Sequence, residues 1–176
     1  TKGDIAINIS QNTRQFSLQN NSMLFFGQGF EVGYVKNKEG INLFNEQSKQ
    51  FIKIISTPSL TIWSICQTNN ESILLNTNQG ILRFSIHQRK IDTVLKEHIS
   101  HSYIDKLKKM WTSGIDGQIS VFDMNNKNIS LLYRVTVLQG SLLQFHESQT
   151  DPSVMWVATS KGLLKINKQT YATTLI

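Results

Sequence analysis

Four glycines divide this chain into units of similar length, and each glycine stands in similar surroundings. YVKNKEGINLF (34–44), LLNTNQGILRF (74–84), MWTSGIDGQISVF (110–122) and MWVATSKGLLKI (155–166) align on Gly40, Gly80, Gly117 and Gly162, at spacings of 40, 37 and 45 residues. Six places before each glycine stand Tyr34, Leu74, Trp111 and Trp156; one place after stand Ile41, Ile81 and Leu163. The third copy has Gln118 there and resumes its apolar pattern at Ile119. A slip of one residue turns every side chain of a strand to the other face, so this copy is expected to carry a longer turn or a bulge.

Each glycine lies between two short apolar runs. Glycine takes a positive φ cheaply, which tight hairpins need, so the four glycines are structural. No GxGxxG or GxxxxGK pattern occurs and no helical pattern follows them, which excludes a phosphate-binding loop. A third run follows each hairpin, at 51–55, 91–95, 129–133 and 170–176. A fourth precedes it: TIWSICQ (61–67), SLLQFHE (141–147), the weaker SHSYIDKL (100–107), and in the first unit either RQFSLQ (14–19) or MLFF (23–26).

No helical pattern of useful length intervenes. Successive antiparallel strands without crossover helices predict an all-β chain. A period near 40 residues with four strands in each is the pattern of a β-propeller blade. The expected architecture is a β-propeller segment over 1–176, with about four blades of four antiparallel strands at 14–55, 60–96, 100–135 and 141–176. A blade cannot bury both faces alone, so its recurring apolar residues belong between blades. An open array would leave an apolar face bare at each end, which points to part of a larger ring.

The 176 residues suit one domain, and the net charge of +6 is scattered. Its tightest group is Lys106, Lys108 and Lys109, while the aromatic residues sit inside apolar runs; this is not the pattern of a nucleic-acid surface, and no nucleic-acid partner is expected. Cys66 is the one cysteine, so no internal disulfide forms, and its apolar run IWSICQ makes it a buried, inert thiol. No stretch of 18 apolar residues is present to span a membrane as a helix.

Little in the chain supports chemistry. Of His87, His98, His101 and His146, only His98 and His101 are close in sequence, and two donors do not make a zinc site. The aspartates are dispersed, without the alternating donors of a calcium loop. Ser64 and Cys66 share a strand face with no base beside them, so a nucleophilic triad has no support. No catalytic residue, metal or cofactor is expected, and this segment is read as non-enzymatic. The ligand-facing candidates lie in turns after the first strands of units: Gln67, Asn69 and Glu71 in the second, Gln149 and Asp151 in the fourth, with Tyr103 in the third. Trp63, Trp111 and Trp156 are expected to pack in the core.

Trp156-Val157-Ala158-Thr159-Ser160-Lys161-Gly162-Leu163 and Leu74-Leu75-Asn76-Thr77-Asn78-Gln79-Gly80-Ile81 resemble the core of the two-component regulator propeller repeat, which runs aromatic-x-Gly-Thr-x-x-Gly-Leu-x-x-aromatic. The final aromatic appears as Phe44 and Phe84; Ile166 replaces it in the fourth copy, and Phe122 comes one place late in the third. Asn76 and Ala158 replace the glycine before Thr, while Asn37 and Gly114 occupy the Thr position in the first and third copies.

The resemblance covers about 31–176. It implies a ligand-sensing region on the periplasmic or extracellular side of a membrane protein similar to the hybrid two-component histidine kinases of gut Bacteroidetes. Such a region would recognise an oligosaccharide and pack on a neighbouring propeller or immunoglobulin-like domain of the same chain, or on a dimer mate. It would control transcription through a kinase elsewhere in the parent. The alternative is a cytoplasmic WD-like interaction scaffold: in GQISVFDMNN, Phe122-Asp123 stands where such a repeat has Trp-Asp, although its Gly-His element is missing.

Overall fold

The computed structural model of the chain describes residues 3–9, 12–18, 23–26, 33–37, 40–45, 50–56, 59–69, 71–114, 116–125, 129–137 and 142–176. Every regular element among them is a β-strand. β1 (Gly3–Ile9) and β2 (Asn12–Leu18) pair with each other as an antiparallel hairpin. The remaining strands form four antiparallel sheets, each built from four strands consecutive in sequence.

The first sheet contains β3 (Met23–Phe26), β4 (Gly33–Asn37), β5 (Gly40–Asn45) and β6 (Gln50–Ser56). The second contains β7 (Ile62–Asn69), β8 (Ser72–Thr77), β9 (Gly80–Ser85) and β10 (Lys90–Leu95). β11 (Ile99–Ile104), β12 (Lys109–Gly114), β13 (Gln118–Asp123) and β14 (Ser130–Thr136) make the third. β15 (Leu142–Glu147), β16 (Val154–Thr159), β17 (Gly162–Asn167) and β18 (Thr173–Leu175) make the fourth. Of the two runs open to the first unit's leading strand, MLFF takes the place as β3, while most of RQFSLQ lies in β2. No helix among the described residues is long and apolar enough to cross a membrane.

The sheets stack in sequence order, in a propeller-like arrangement. Ile41 of the first sheet packs with Ile73, Leu75, Leu82 and Phe84 of the second. Leu74 and Ile81, on the second sheet's other face, meet Ile99, Met110 and Phe122 of the third. Trp111, Ile119 and Val121 then meet Phe145, Met155, Val157, Leu164 and Ile166 of the fourth. Burying each such side chain is worth about 1.5–3 kcal/mol, so these interfaces hold most of the apolar stabilisation. The leading strands β7, β11 and β15 lie side by side, with β11 touching both others.

The recurring sequence positions acquire a direction from this stacking. Residues six before and one after the aligned glycine face the following sheet: Ile41, then Leu74 and Ile81, then Trp111. The third copy needs Ile119, two places after Gly117, to restore the face. Its paired residues end at Ser113 and Ile119, whereas the second hairpin pairs Thr77 with Gly80 and the fourth Thr159 with Gly162. The longer turn absorbs the extra residue. In the fourth sheet the same positions are Trp156, half-buried, and Leu163, 41% exposed.

The Thr-x-x-Gly element closes two hairpins identically. The Thr77 hydroxyl donates to the Gly80 carbonyl at 2.8 Å and accepts from the Gln79 amide at 3.1 Å. Thr159 does the same with Gly162 and Lys161, at the same distances. Gly80 has φ +107°, and a Cβ there would overlap the Leu95 carbonyl oxygen of the neighbouring strand. Conformation and close approach therefore both select glycine at this position.

Candidate functional site

Antiparallel order gives each sheet two distinct edges. Turns joining first to second and third to fourth strands lie at one edge. Hairpins joining second to third strands, and the connections between sheets, lie at the other. At this second edge, between the third sheet and the connection that leads into it from the second, the chain forms a cleft of about 550 Å³, within the usual range for a small-molecule site.

The cleft's base is a row across the third sheet. Thr112 pairs with Ser120, and Ser120 with Arg134, so the three occupy neighbouring strands on the face toward the second sheet. Thr112 donates its hydroxyl to the Ser120 carbonyl at 3.2 Å, and Arg134 Nε donates to Ser120 Oγ at 3.0 Å. Gly114, Asp116 and Gln118 of the long hairpin turn form one wall. The turn is fixed by its own carboxylate: Asp116 Oδ1 accepts from the Gln118 amide at 3.2 Å. Gly114 keeps that wall open, since a Cβ there would come within 2.7 Å of Asp116 Oδ1.

Lys96, Glu97 and His98, in the connection from β10 to β11, form the opposite wall. One terminal nitrogen of Arg134 donates to both Glu97 carboxylate oxygens at 2.7 Å, tying this wall to the base. The pair is 36% and 40% exposed, so water screens it and it contributes little to stability. The His98 ring lies 6.3 Å from Trp63, which occupies the register shift between β7 and β8.

The residues singled out from sequence lie elsewhere. Gln67 and Asn69 fall in the last part of β7 and Glu71 in the turn after it, all toward the opposite edge. Gln149 and Asp151 occupy the corresponding turn of the fourth sheet and are exposed. Asp151 accepts from the Ser153 hydroxyl and amide, which hold its carboxyl below the usual aspartate range. Tyr103 is on β11, half-buried against the cluster between the third and fourth sheets. The structure therefore gathers none of these six residues into the cleft. Trp111 is fully buried, whereas Trp63 and Trp156 are partly exposed. Glu97, Asp116, Gln118 and Arg134 line the cleft and stand outside the turns that the sequence marks as ligand-facing.

A polar seam joins the leading strands of the second and third sheets. Asn76, at the position of the repeat's glycine, donates its amide nitrogen to Ser64 Oγ and to Ser102 Oγ. Ser64 donates to the Ser100 carbonyl at 3.1 Å, and Ser100 to the Ser113 carbonyl at 3.0 Å. Cys66 is buried on the same strand, and burial pushes its thiol pKa up to about 11 despite contact with Ser102 and Ile104. Burial likewise pulls His101 below the ordinary histidine range. The Asn76–Ser102 and Ser64–Ser100 bonds knit the two sheets together, and a thiol held protonated is a poor nucleophile. Among the described residues, no three His, Cys, Asp or Glu side chains converge as metal ligands.

Comparison with known proteins places the fold. No family model matches the chain. No curated protein matches it either. Solved structures do. An extracellular domain assigned to a hybrid two component system of B. thetaiotaomicron superposes with a TM-score of 0.67 at 17% identity, over 92% of this chain and 26% of that one. The dihydro-heme d1 dehydrogenase NirN matches with a TM-score of 0.60 at 13% identity, over 93% of this chain and 38% of its own. A chain of the mitotic checkpoint complex matches with a TM-score of 0.65 at 8% identity, over 82% and 47%. The chain thus spans less than half of each of these three solved chains. At these identities the likeness is one of fold, and its occurrence in an extracellular two-component domain, a dehydrogenase and a chain of a checkpoint complex shows that the fold alone does not assign a function.

Proposed function

We propose that this chain is part of a larger β-propeller that senses a carbohydrate on the periplasmic or extracellular side of a membrane and signals to an attached histidine kinase that controls transcription. The observation that carries the reading is the cleft between the third sheet and the connection leading into it. It offers hydroxyls in its floor, an amide in one wall, both signs of charge and an aromatic pair at its side, a set of groups suited to a polyhydroxylated ligand. The Thr-x-x-Gly repeat and the likeness in fold to an extracellular hybrid two-component domain support the same reading.

Trp156 and Leu163 support the larger ring, because their counterparts in the preceding sheets are buried against a neighbour. In this reading a further blade covers them, and a neighbouring propeller, an immunoglobulin-like domain or a dimer mate receives the signal. Ligand binding works by favouring one packing of these parts over another. No catalytic step, metal or cofactor is assigned to the segment.

The test is a thermal-unfolding screen of the parent's sensor region against neutral and acidic oligosaccharides. A saccharide bound at a hundred times its dissociation constant adds about 2.7 kcal/mol of stability, a clear rise in Tm. No shift with any saccharide, together with residence in the cytoplasm, would refute the sensor reading. A second reading, an interaction scaffold, has one observation in its favour: Leu131 and Leu132 on the outer strand β14 are about half exposed. Stable capture of a protein partner on that strand would support it.

A further inference from the structure

We propose that the cleft takes a ligand bearing a carboxylate, and that Glu97 occupies the carboxylate position in the free protein. The inference rests on the ligand-sensing reading above and names the ligand class and the switching contact. Arg134 is fixed from below, its Nε bonded to Ser120 Oγ at 3.0 Å, so its terminal nitrogens project into the cleft in a set direction. A guanidinium held in this way suits a carboxylate better than a neutral hydroxyl. It already holds one: both Glu97 oxygens, at 2.7 Å.

Glu97 is replaceable. It comes from a short connection rather than a strand, and an exposed pair of this kind is weak. Lys96 lines the same wall and makes no ion pair with a described residue. When Glu97 leaves, Lys96 and Arg134 face Asp116 alone, and Asp116 is engaged with the Gln118 amide. The cleft then carries an excess of positive charge, in a chain whose net charge of +6 already favours the approach of anions.

Displacement has a mechanical result. The Glu97–Arg134 contact ties the connection between the second and third sheets to the outer strand of the third. A ligand carboxylate on Arg134 frees that connection while bridging to the base of the cleft. Binding thereby exchanges an internal tie for a ligand contact at the junction of two sheets, a local change that a stacked array can pass to its neighbours.

The experiment is calorimetric titration of the full chain with glucuronate and with glucose. The proteins are the unchanged chain, Glu97→Gln, Arg134→Lys and Arg134→Ala, each checked for an unaltered far-ultraviolet spectrum and unfolding midpoint. Glucuronate is expected to bind more tightly than glucose. Glu97→Gln should bind it about two- to five-fold more tightly, since it removes a competitor worth an exposed ion pair. Arg134→Ala should weaken it about tenfold or more, through loss of charge-assisted bonds. Arg134→Lys, which keeps the charge and loses the fork, should fall between and remains informative if the alanine variant unfolds.

Equal binding of glucose and glucuronate, unmoved by Glu97→Gln, would overturn the carboxylate exchange while leaving carbohydrate sensing intact. Failure of both ligands on every protein would overturn it too; the wider saccharide screen then decides the sensor reading on its own.

Discussion

Asp105 anchors the turn between β11 and β12 and holds the largest core side chain of the third sheet. Its carboxylate is 3% exposed and accepts from the Leu107 amide at 2.9 Å, the Lys109 amide at 2.9 Å and Trp111 Nε1 at 3.0 Å. Asp105→Ala removes all three acceptors, but the losses differ. Leu107 is 59% exposed and Lys109 half-buried, so water reaches their amides. Trp111 is fully buried between the third and fourth sheets, so its N–H is stranded. A buried donor without an acceptor costs about 1–3 kcal/mol, and this single group supplies most of an expected destabilisation of about 2 kcal/mol. With a urea slope of about 2 kcal/mol/M, the unfolding midpoint falls by about 1 M. The cycle with Trp111→Phe isolates the cause. In the phenylalanine background no donor is stranded, so Asp105→Ala should cost only about 0.5–1 kcal/mol, a coupling of about 1–1.5 kcal/mol. An undiminished cost in that background would refute the assignment to the indole.

Three further outcomes follow from the same contacts. Gly80→Ala forces a positive φ on a side chain and drives its Cβ into the Leu95 carbonyl, so it should destabilise by about 1–3 kcal/mol or more in urea unfolding. Lys168→Ala leaves Glu147 buried without its ion-pair partner and should cost about 3–5 kcal/mol, whereas the double change Lys168→Met, Glu147→Leu should be close to neutral. Cys66, with its pKa near 11, should react with iodoacetamide at pH 8 at least about a hundredfold more slowly in the native chain than in urea, followed by mass spectrometry.

The four sheets were legible because the information for them is local and repeated. Thr77 and Thr159 each close their own turn within three residues, and Leu74 and Trp111 mark the faces that meet the next sheet. The displaced pattern at Gln118 predicted a longer third turn for a steric reason, and the structure has it. Choosing the first unit's leading strand is a different kind of problem. RQFSLQ alternates and MLFF is a continuous apolar run, both compatible with a strand, and the competition is settled by pairing: residues 12–18 have 3–9 as partner, which leaves Met23–Phe26 to pair with residues 33–36. Pairing between distant segments has no marker in either run alone.

The cleft was hidden for a related reason. Glu97, Asp116 and Arg134 belong to three separate segments, and none occupies a recurring position of the repeat. The turns after the leading strands, where loop residues mark themselves in the sequence, all lie at the opposite edge. Yet the signal was available in the strand order. Alternating directions put every connection between sheets at the same edge as the glycine hairpins. Only the third unit's hairpin departs from the two-residue turn seen in the second and fourth, and the connection just before that unit is the charged Lys96-Glu97-His98. Arg134 completes the arrangement by strand register, standing opposite Ser120. In a chain of repeats, position within the repeat identifies what holds the sheets together. A candidate site is better sought where two departures from the repeat fall on one edge, because those residues are free of the packing that fixes the rest.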